Sequence, residues 1–387
     1  MNRGLKTLLI LLALMLVIVP TIFGYMIFHS SKGAFSNSYS ESDARQSKLR
    51  TSGVNASSDP VSILFLGIDD SSSRRENGQS TEQSRTDAII LSTLNPDTKK
   101  IRLLSIPRDT LSYIPEVGYY DKITHAHAYG GPEATMEAVE STLNVPVDYY
   151  IRINMEAFVK TVDELDGIEY NVPYDIDEPN TTDEGRIKIK KGKQVLNGDQ
   201  ALAITRTRKQ DSDLKRGERQ MEVLKILFQK AQDTKSLHKL DDIIEIVGKN
   251  SKHNLSYDEI RSLAATYLTG DATIKSSQLQ GENELINDIY YINPEESDLI
   301  KTGNLLRKDL GLTSLDEDDF LIHRVLMQYG GIPPLAEIDT SLIDEAFRTD
   351  DEETTDDSYQ SSDYNSTDQT PYSDSTDEEQ YDPNTYF

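Results

Sequence analysis

The residues best suited to chemistry sit in one stretch, ALAITRTRKQDSDLKRGERQ (201–220). Between Arg206 and Arg219 six basic residues stand against three acids, a local positive surplus in a chain of net charge −26. Arg206 and Arg208 are separated by one residue. Arg216, Arg219 and Gln220 are three and four apart and share a face if the segment is helical. Guanidinium groups are planar, bidentate donors that match phosphate oxygens, and a helix start adds partial positive charge. Two converging arginine pairs would suit a diphosphate. A solvated face with ordinary ion pairs to Asp211, Asp213 and Glu218 uses the same residues, and composition does not separate the two readings.

A second constellation depends on strand pairing. Val61–Ile68, VSILFLGI, is a nearly continuous apolar run of the kind expected for a strand covered on both faces, and it ends in Asp69 and Asp70. Two further strand-like runs, 88–94 and 101–106, are joined by the turn sequence NPDTKK. A turn centred between Asp97 and Thr98 sets Asp87 opposite Arg108. Arg85 and Asp87, two apart, project from the same side of a strand. If the first strand runs parallel to the third, Asp69 reaches the same carboxyl edge, where open α/β sheets place ligands.

The elements that must position these groups alternate in type. GGPEATMEAVESTLN, with Pro132 suited to a first helical turn, precedes strand-like DYYIRIN, helical MEAFVKTVDELDG and strand-like IEYNVP. Helical patterns dominate from Asp199 to Leu268. The fold class is therefore α/β, a mixed sheet flanked by helices. GRIKIKKGK (185–193) reads as an edge strand protected by lysines. Val139, Leu143, Phe158, Leu165, Leu224 and Phe228 could line a channel for a lipid, but each recurs at ordinary core spacing. His125 and His127 could face one side of an extended segment, and Lys122 reads equally as an aid to an anionic substrate or as a rim lysine.

At 387 residues the chain holds two or three domains' worth of polypeptide. Its acidity disfavours nucleic acid as a partner. No Cys occurs, so thiolate chemistry is excluded, and the six His lack the paired spacing of zinc hydrolases; a catalytic metal would rely on carboxylates. Residues 7–28 form an uncharged apolar run long enough to span a bilayer, behind Arg3 and Lys6. This predicts a cytoplasmic end at 1–6, an uncleaved signal-anchor at 7–28 and a domain outside the cell membrane. Ser, Gly and Asn at 29–60 predict a flexible stalk. The folded part is expected as a catalytic domain at 61–232 and a mostly helical or mixed extension at 233–348. An acidic tail at 349–387, with thirteen acids and no Lys or Arg from 350 onward, is expected to stay disordered.

SILFLGID, SRTDAIILSTLNPDTKKIRLLSIPRDT, DKITHAHAYGG, DGIEYNVP, QVLNGDQALAITRTRKQDSD and RGERQ, in this order, resemble the LytR-CpsA-Psr family of bacterial cell-envelope proteins. The resemblance covers about 61–232. It implies transfer of wall teichoic acid or a related anionic glycopolymer from a polyprenyl-pyrophosphate carrier to a peptidoglycan sugar hydroxyl, with release of polyprenyl phosphate. It further implies that Asp69 and Asp87 hold Mg²⁺, and that Arg85, Arg108, Arg206, Arg208, Arg216 and Gln220 surround the pyrophosphate, with Arg219 in the same segment. Arg85, Asp87, Arg108 and Arg206 are the expected catalytic set. Carboxylates suit a hard cation, and phosphoryl transfer depends on positioning and charge neutralisation. A membrane-tethered envelope regulator or binding module, and a polyprenyl-pyrophosphate hydrolase, are the alternatives.

Overall fold

A computed structural model describes residues 46–68, 84–180, 185–207, 213–233, 242–243, 245–247, 251–268 and 272–329. The expected signal-anchor at 7–28, the cytoplasmic end at 1–6, the acidic tail at 349–387, and Asp69 and Arg208 lie outside the described residues.

In chain order the strands and helices are β1 (Val61–Ile68), β2 (Thr86–Asn95), β3 (Lys100–Ile106), β4 (Leu111–Ile114), β5 (Tyr119–Lys122), α1 (Ala126–Leu143), β6 (Tyr149–Ile153), α2 (Met155–Glu164) and β7 (Ile168–Val172). They continue as β8 (Ile176–Pro179), β9 (Arg186–Ile189), β10 (Gly192–Leu196), α3 (Gly198–Arg206), α4 (Asp213–Ala231), β11 (Ser251–His253) and α5 (Tyr257–Leu268). The last are β12 (Thr273–Gln278), β13 (Glu282–Ile286), β14 (Ile289–Asn293), α6 (Glu296–Asp309) and α7 (Leu321–Tyr329).

A six-stranded mixed sheet, in the order β11-β6-β1-β2-β3-β12, forms the centre. β1 pairs parallel with β6 and β3 pairs parallel with β12, whereas β2 runs antiparallel between β1 and β3. The apolar run of β1 is explained by two covered faces. Leu64 and Leu66 enter a core with Met136, Val139 and Leu143 of α1 and Leu299 and Leu306 of α6. Ile63, pointing the other way, joins Met221 of α4 and Tyr267 of α5. A third core lies among α2, β7 to β10, α3 and α4. The six residues considered for a lipid channel divide among these three cores, so they do not line one passage.

The hairpin has the expected register: Ile89 faces Ile106 and Asn95 faces Lys100. Asn95 Oδ1 accepts from Thr98 N at 3.0 Å, an Asx-type turn that fixes the pairing. Helix α1 breaks at Gly130 and Gly131, both non-helical, so Pro132 opens its second half as expected.

Three expectations need correction. The boundary at 232/233 cuts through one sheet, because β11 and β12 are its two edge strands and α6 covers one face. The stalk does not extend to 60: Arg50 is clamped to Asp148 at 3.0 and 2.7 Å, and Ala56 is buried against the core containing Val61. The basic segment 185–193 is not a single edge strand. It forms β9 and the start of β10, which pair with β8 and β7 in separate two-stranded sheets.

Candidate active site

Asp87 owes its position to a break in pairing. Gly67 faces Ala88 but Ile68 faces Thr86, so Asp87 is an extra residue on β2 with no partner across the strand. Such a bulge re-aims a side chain at the end of a strand. Regular alternation, which predicts that Arg85 and Asp87 project together, contains no such feature; Arg85 in fact precedes the strand and is exposed. Asp87 Oδ1 accepts from Arg108 Nη1 at 2.8 Å, the cross-strand pair expected from the turn. The pair is partly open to solvent, with 36% and 25% of the two side chains accessible.

The chain of charge continues inward. Arg108 Nε lies 3.6 Å from Oδ2 of buried Asp109, whose Oδ1 is 3.0 Å from Lys122 Nζ. Lys122 also lies over the rings of Tyr290 and Tyr291 at 5.9 and 5.7 Å. Beyond it, Asp121 accepts from Tyr129 Oη and pairs with His125 Nδ1, each at 2.7 Å. Burial works to raise the Asp121 carboxyl's pKa, but these bonds, the Lys122 amide and the charge of His125 together hold it below the usual value.

Helix α4 brings the arginine-rich segment to the same edge. Buried Arg216 donates from Nη2 to the Asp87 carbonyl at 3.4 Å. The next residue packs closely on the sheet: a Cβ on Gly217 would stand 2.3 Å from Nε2 at the end of the Gln278 side chain and 3.0 Å from Ser105 Oγ. Close packing of α4 on β3 and β12 thus seats Arg216 beside Asp87. Arg219 donates from Nε to the Ile204 carbonyl at 2.8 Å and from Nη2 to that of Thr207, and lies over Tyr174. Gln220 Nε2 donates to the Thr205 carbonyl at 3.2 Å. These bonds satisfy carbonyls at the C-terminal end of α3 and fix Arg206, its last residue, next to the start of α4.

The structure therefore joins Asp87, Arg108 and Arg216 by direct contact and carries Arg206 and Gln220 to the junction through α3 and α4. Arg219, in the segment expected around the pyrophosphate, has a buried guanidinium whose bonds to the Ile204 and Thr207 carbonyls tie that junction together. Asp109 was missed in the sequence. The pairing of Leu111 with Lys122 in the β4–β5 hairpin was the signal available, since it returns Lys122 to the residues just before β4.

The family model described as the LytR_cpsA_psr family matches residues 24–308. The chain belongs to the LytR-CpsA-Psr family. A Bacillus subtilis (strain 168) relative, polyisoprenyl-teichoic acid–peptidoglycan teichoic acid transferase TagT, is 36% identical over 81% of this chain and 96% of its own length. An uncharacterized protein of Staphylococcus aureus is 59% identical, over 89% of this chain and 85% of that protein. The structure of TagT bound to LIIa-WTA superposes with a TM-score of 0.59 at 37% identity, covering 69% of this chain and 97% of that one. A structure of YwtF (TagT) with bound octaprenyl pyrophosphate lipid gives a TM-score of 0.55 at 35% identity, over 69% and 97%.

In this LytR-CpsA-Psr protein, the donor set at the sheet edge fits one hard cation in part. Among the described residues only Oδ1 of Asp87 is engaged, which leaves the second carboxylate oxygen for a metal. The other expected ligand, Asp69, follows β1 directly in sequence.

Proposed function

We propose that this chain transfers an anionic glycopolymer of the teichoic acid class from a polyprenyl-pyrophosphate carrier to a peptidoglycan sugar hydroxyl. The observation that carries this reading is the convergence of the Asp87–Arg108 pair and Arg216 at one sheet edge. The fold is shared with relatives whose structures hold LIIa-WTA and an octaprenyl pyrophosphate lipid. Arg85, Arg108, Arg206, Arg208 and Arg216 neutralise the diphosphate, and Gln220 adds a donor at the α3–α4 junction. Asp87 and Asp69 hold Mg²⁺, which supplies further charge neutralisation when bound. The residues 7–28 anchor the chain with its N-terminus in the cytoplasm and the catalytic domain outside.

The acceptor hydroxyl oxygen attacks the phosphorus joined to the glycopolymer. The bond from that phosphorus to the bridging oxygen breaks, and polyprenyl phosphate departs with the electron pair. A phosphodiester remains, and the hydroxyl proton passes to solvent or to the leaving phosphate. Charge builds on the bridging oxygen and the equatorial oxygens, where fixed guanidinium donors act without reorganising. Arg108→Ala and Arg206→Ala should keep a melting temperature near that of the parent and lose transfer of labelled glycopolymer by about a hundredfold or more. Undiminished turnover in both variants would reject the site.

A further inference from the structure

Arg85 is exposed, yet the backbone that carries it is fixed on both sides. The Ser84 carbonyl accepts from His127 Nδ1 at 2.7 Å, and the Thr86 carbonyl accepts from Thr124 Oγ1 at 2.7 Å. Ser84, Thr86, Thr124 and His127 are all buried, with at most 2% of any of them accessible. Both donors come from a single tight turn, residues 123–127, where a 3₁₀ segment runs into α1. The same turn holds the other candidate arginine, since Thr124 N donates to the Arg108 carbonyl at 3.1 Å.

We propose that His127 and Thr124 are positioning residues that aim Arg85 at the pyrophosphate, acting through the carbonyls on either side of it. The inference rests on the reading of Arg85 as a pyrophosphate ligand. A long arginine side chain aims reliably only from a fixed backbone, and here the strand ladder begins one residue later, at Thr86. A core histidine kept only for packing is the competing account, and its bonding argues otherwise. Because a carbonyl only accepts, the ring proton sits on Nδ1, and Nε2 is then a bare acceptor. Nε2 is buried with no hydrogen-bond partner among the described residues. An unsatisfied buried acceptor destabilises the fold, a cost that an apolar residue at 127 would avoid. Burial, with Arg152 and Lys252 nearby, lowers the imidazole pKa to about 4 and keeps this neutral donor form at neutral pH.

The test measures kcat and KM for glycopolymer transfer, and the Kd for octaprenyl pyrophosphate, with the full chain. His127→Phe and Thr124→Val are each compared in the parent and in an Arg85→Ala background. In the parent each should weaken kcat/KM and lipid binding about tenfold or more. In Arg85→Ala neither should add more than about twofold, the mark of residues acting through a shared partner. His127→Asn, whose amide can still donate to the Ser84 carbonyl, should recover most of the loss. Equal losses in both backgrounds, or none in either, would overturn the proposal. Binding stays readable where turnover is too slow to assay, and Thr124→Val decides the matter if His127→Phe does not fold. If Arg85→Ala alone kept full activity and binding, the role of Arg85 would fail on that variant by itself, and the proposal with it.

Discussion

At the scale of single residues, Asp87 is held by a bulge and one ion pair, and that pair is partly solvated. Its contribution to stability is therefore small, within about 1 kcal/mol. Asp87→Asn should leave the urea midpoint almost unchanged while cutting transfer by about a hundredfold; an equal fall in both would mean the carboxylate is structural. His127 sets a pH dependence. Its folded pKa is depressed to about 4, while the unfolded ring titrates near 6.5. Between those values the unfolded chain binds more protons, so stability rises with pH across this window and is fully present above it. From pH 7 to pH 4 the parent should lose on the order of 3 kcal/mol more than His127→Phe in chemical unfolding. The pairing of Asp87 with Arg108 could be read from the turn sequence alone because antiparallel register is arithmetic once the turn is placed. The bulge could not, since nothing in ILFLGIDD or SRTDAII marks where the ladder slips.

At the scale of elements, what positions the arginines is close backbone approach. A Cβ on Gly198 would stand 2.2 Å from the Val159 carbonyl of α2, so α3 can pack there only with glycine at its start. Gly198→Ala should destabilise by about 1–3 kcal/mol and displace Arg206 at the other end of the same helix, lowering transfer as well. A second element is the strap at 46–60. Arg50 and Asp148 are both largely buried, and Asp148 also accepts from Ser62 N at 2.9 Å at the start of β1. Arg50→Ala leaves a buried carboxylate short of its charge partner and should cost about 3 kcal/mol, measured by thermal or chemical unfolding. β1 and the hairpin announce themselves by continuous apolar runs, and α2 and β7 by periodicity. The edge strands β11 and β12 do not: SKH is three residues long, and TIKSSQ, mostly exposed, lacks an apolar alternation. Composition likewise assigned 46–60 to the stalk, because a single arginine and a few small residues carry its packing.

At the scale of the whole molecule, the separation of charge is the main feature. A chain of net charge −26 brings Arg108 and Arg216 together at one sheet edge, a local positive surplus that favours an anionic ligand there. The absence of cysteine makes topology directly measurable. Ser52→Cys, at an exposed position, introduces a single thiol. A membrane-impermeant maleimide applied to intact cells should label it; labelling only after lysis would place the domain inside and contradict the extracellular assignment.

Transfer and hydrolysis are separated by product analysis with the purified full chain, a labelled glycopolymer on polyprenyl pyrophosphate, and peptidoglycan as acceptor. One polyprenyl phosphate should be released for each glycopolymer joined to peptidoglycan by a phosphodiester, with little release when peptidoglycan is omitted. Equal release with and without acceptor, and no label in peptidoglycan, would make the chain a hydrolase and not a transferase.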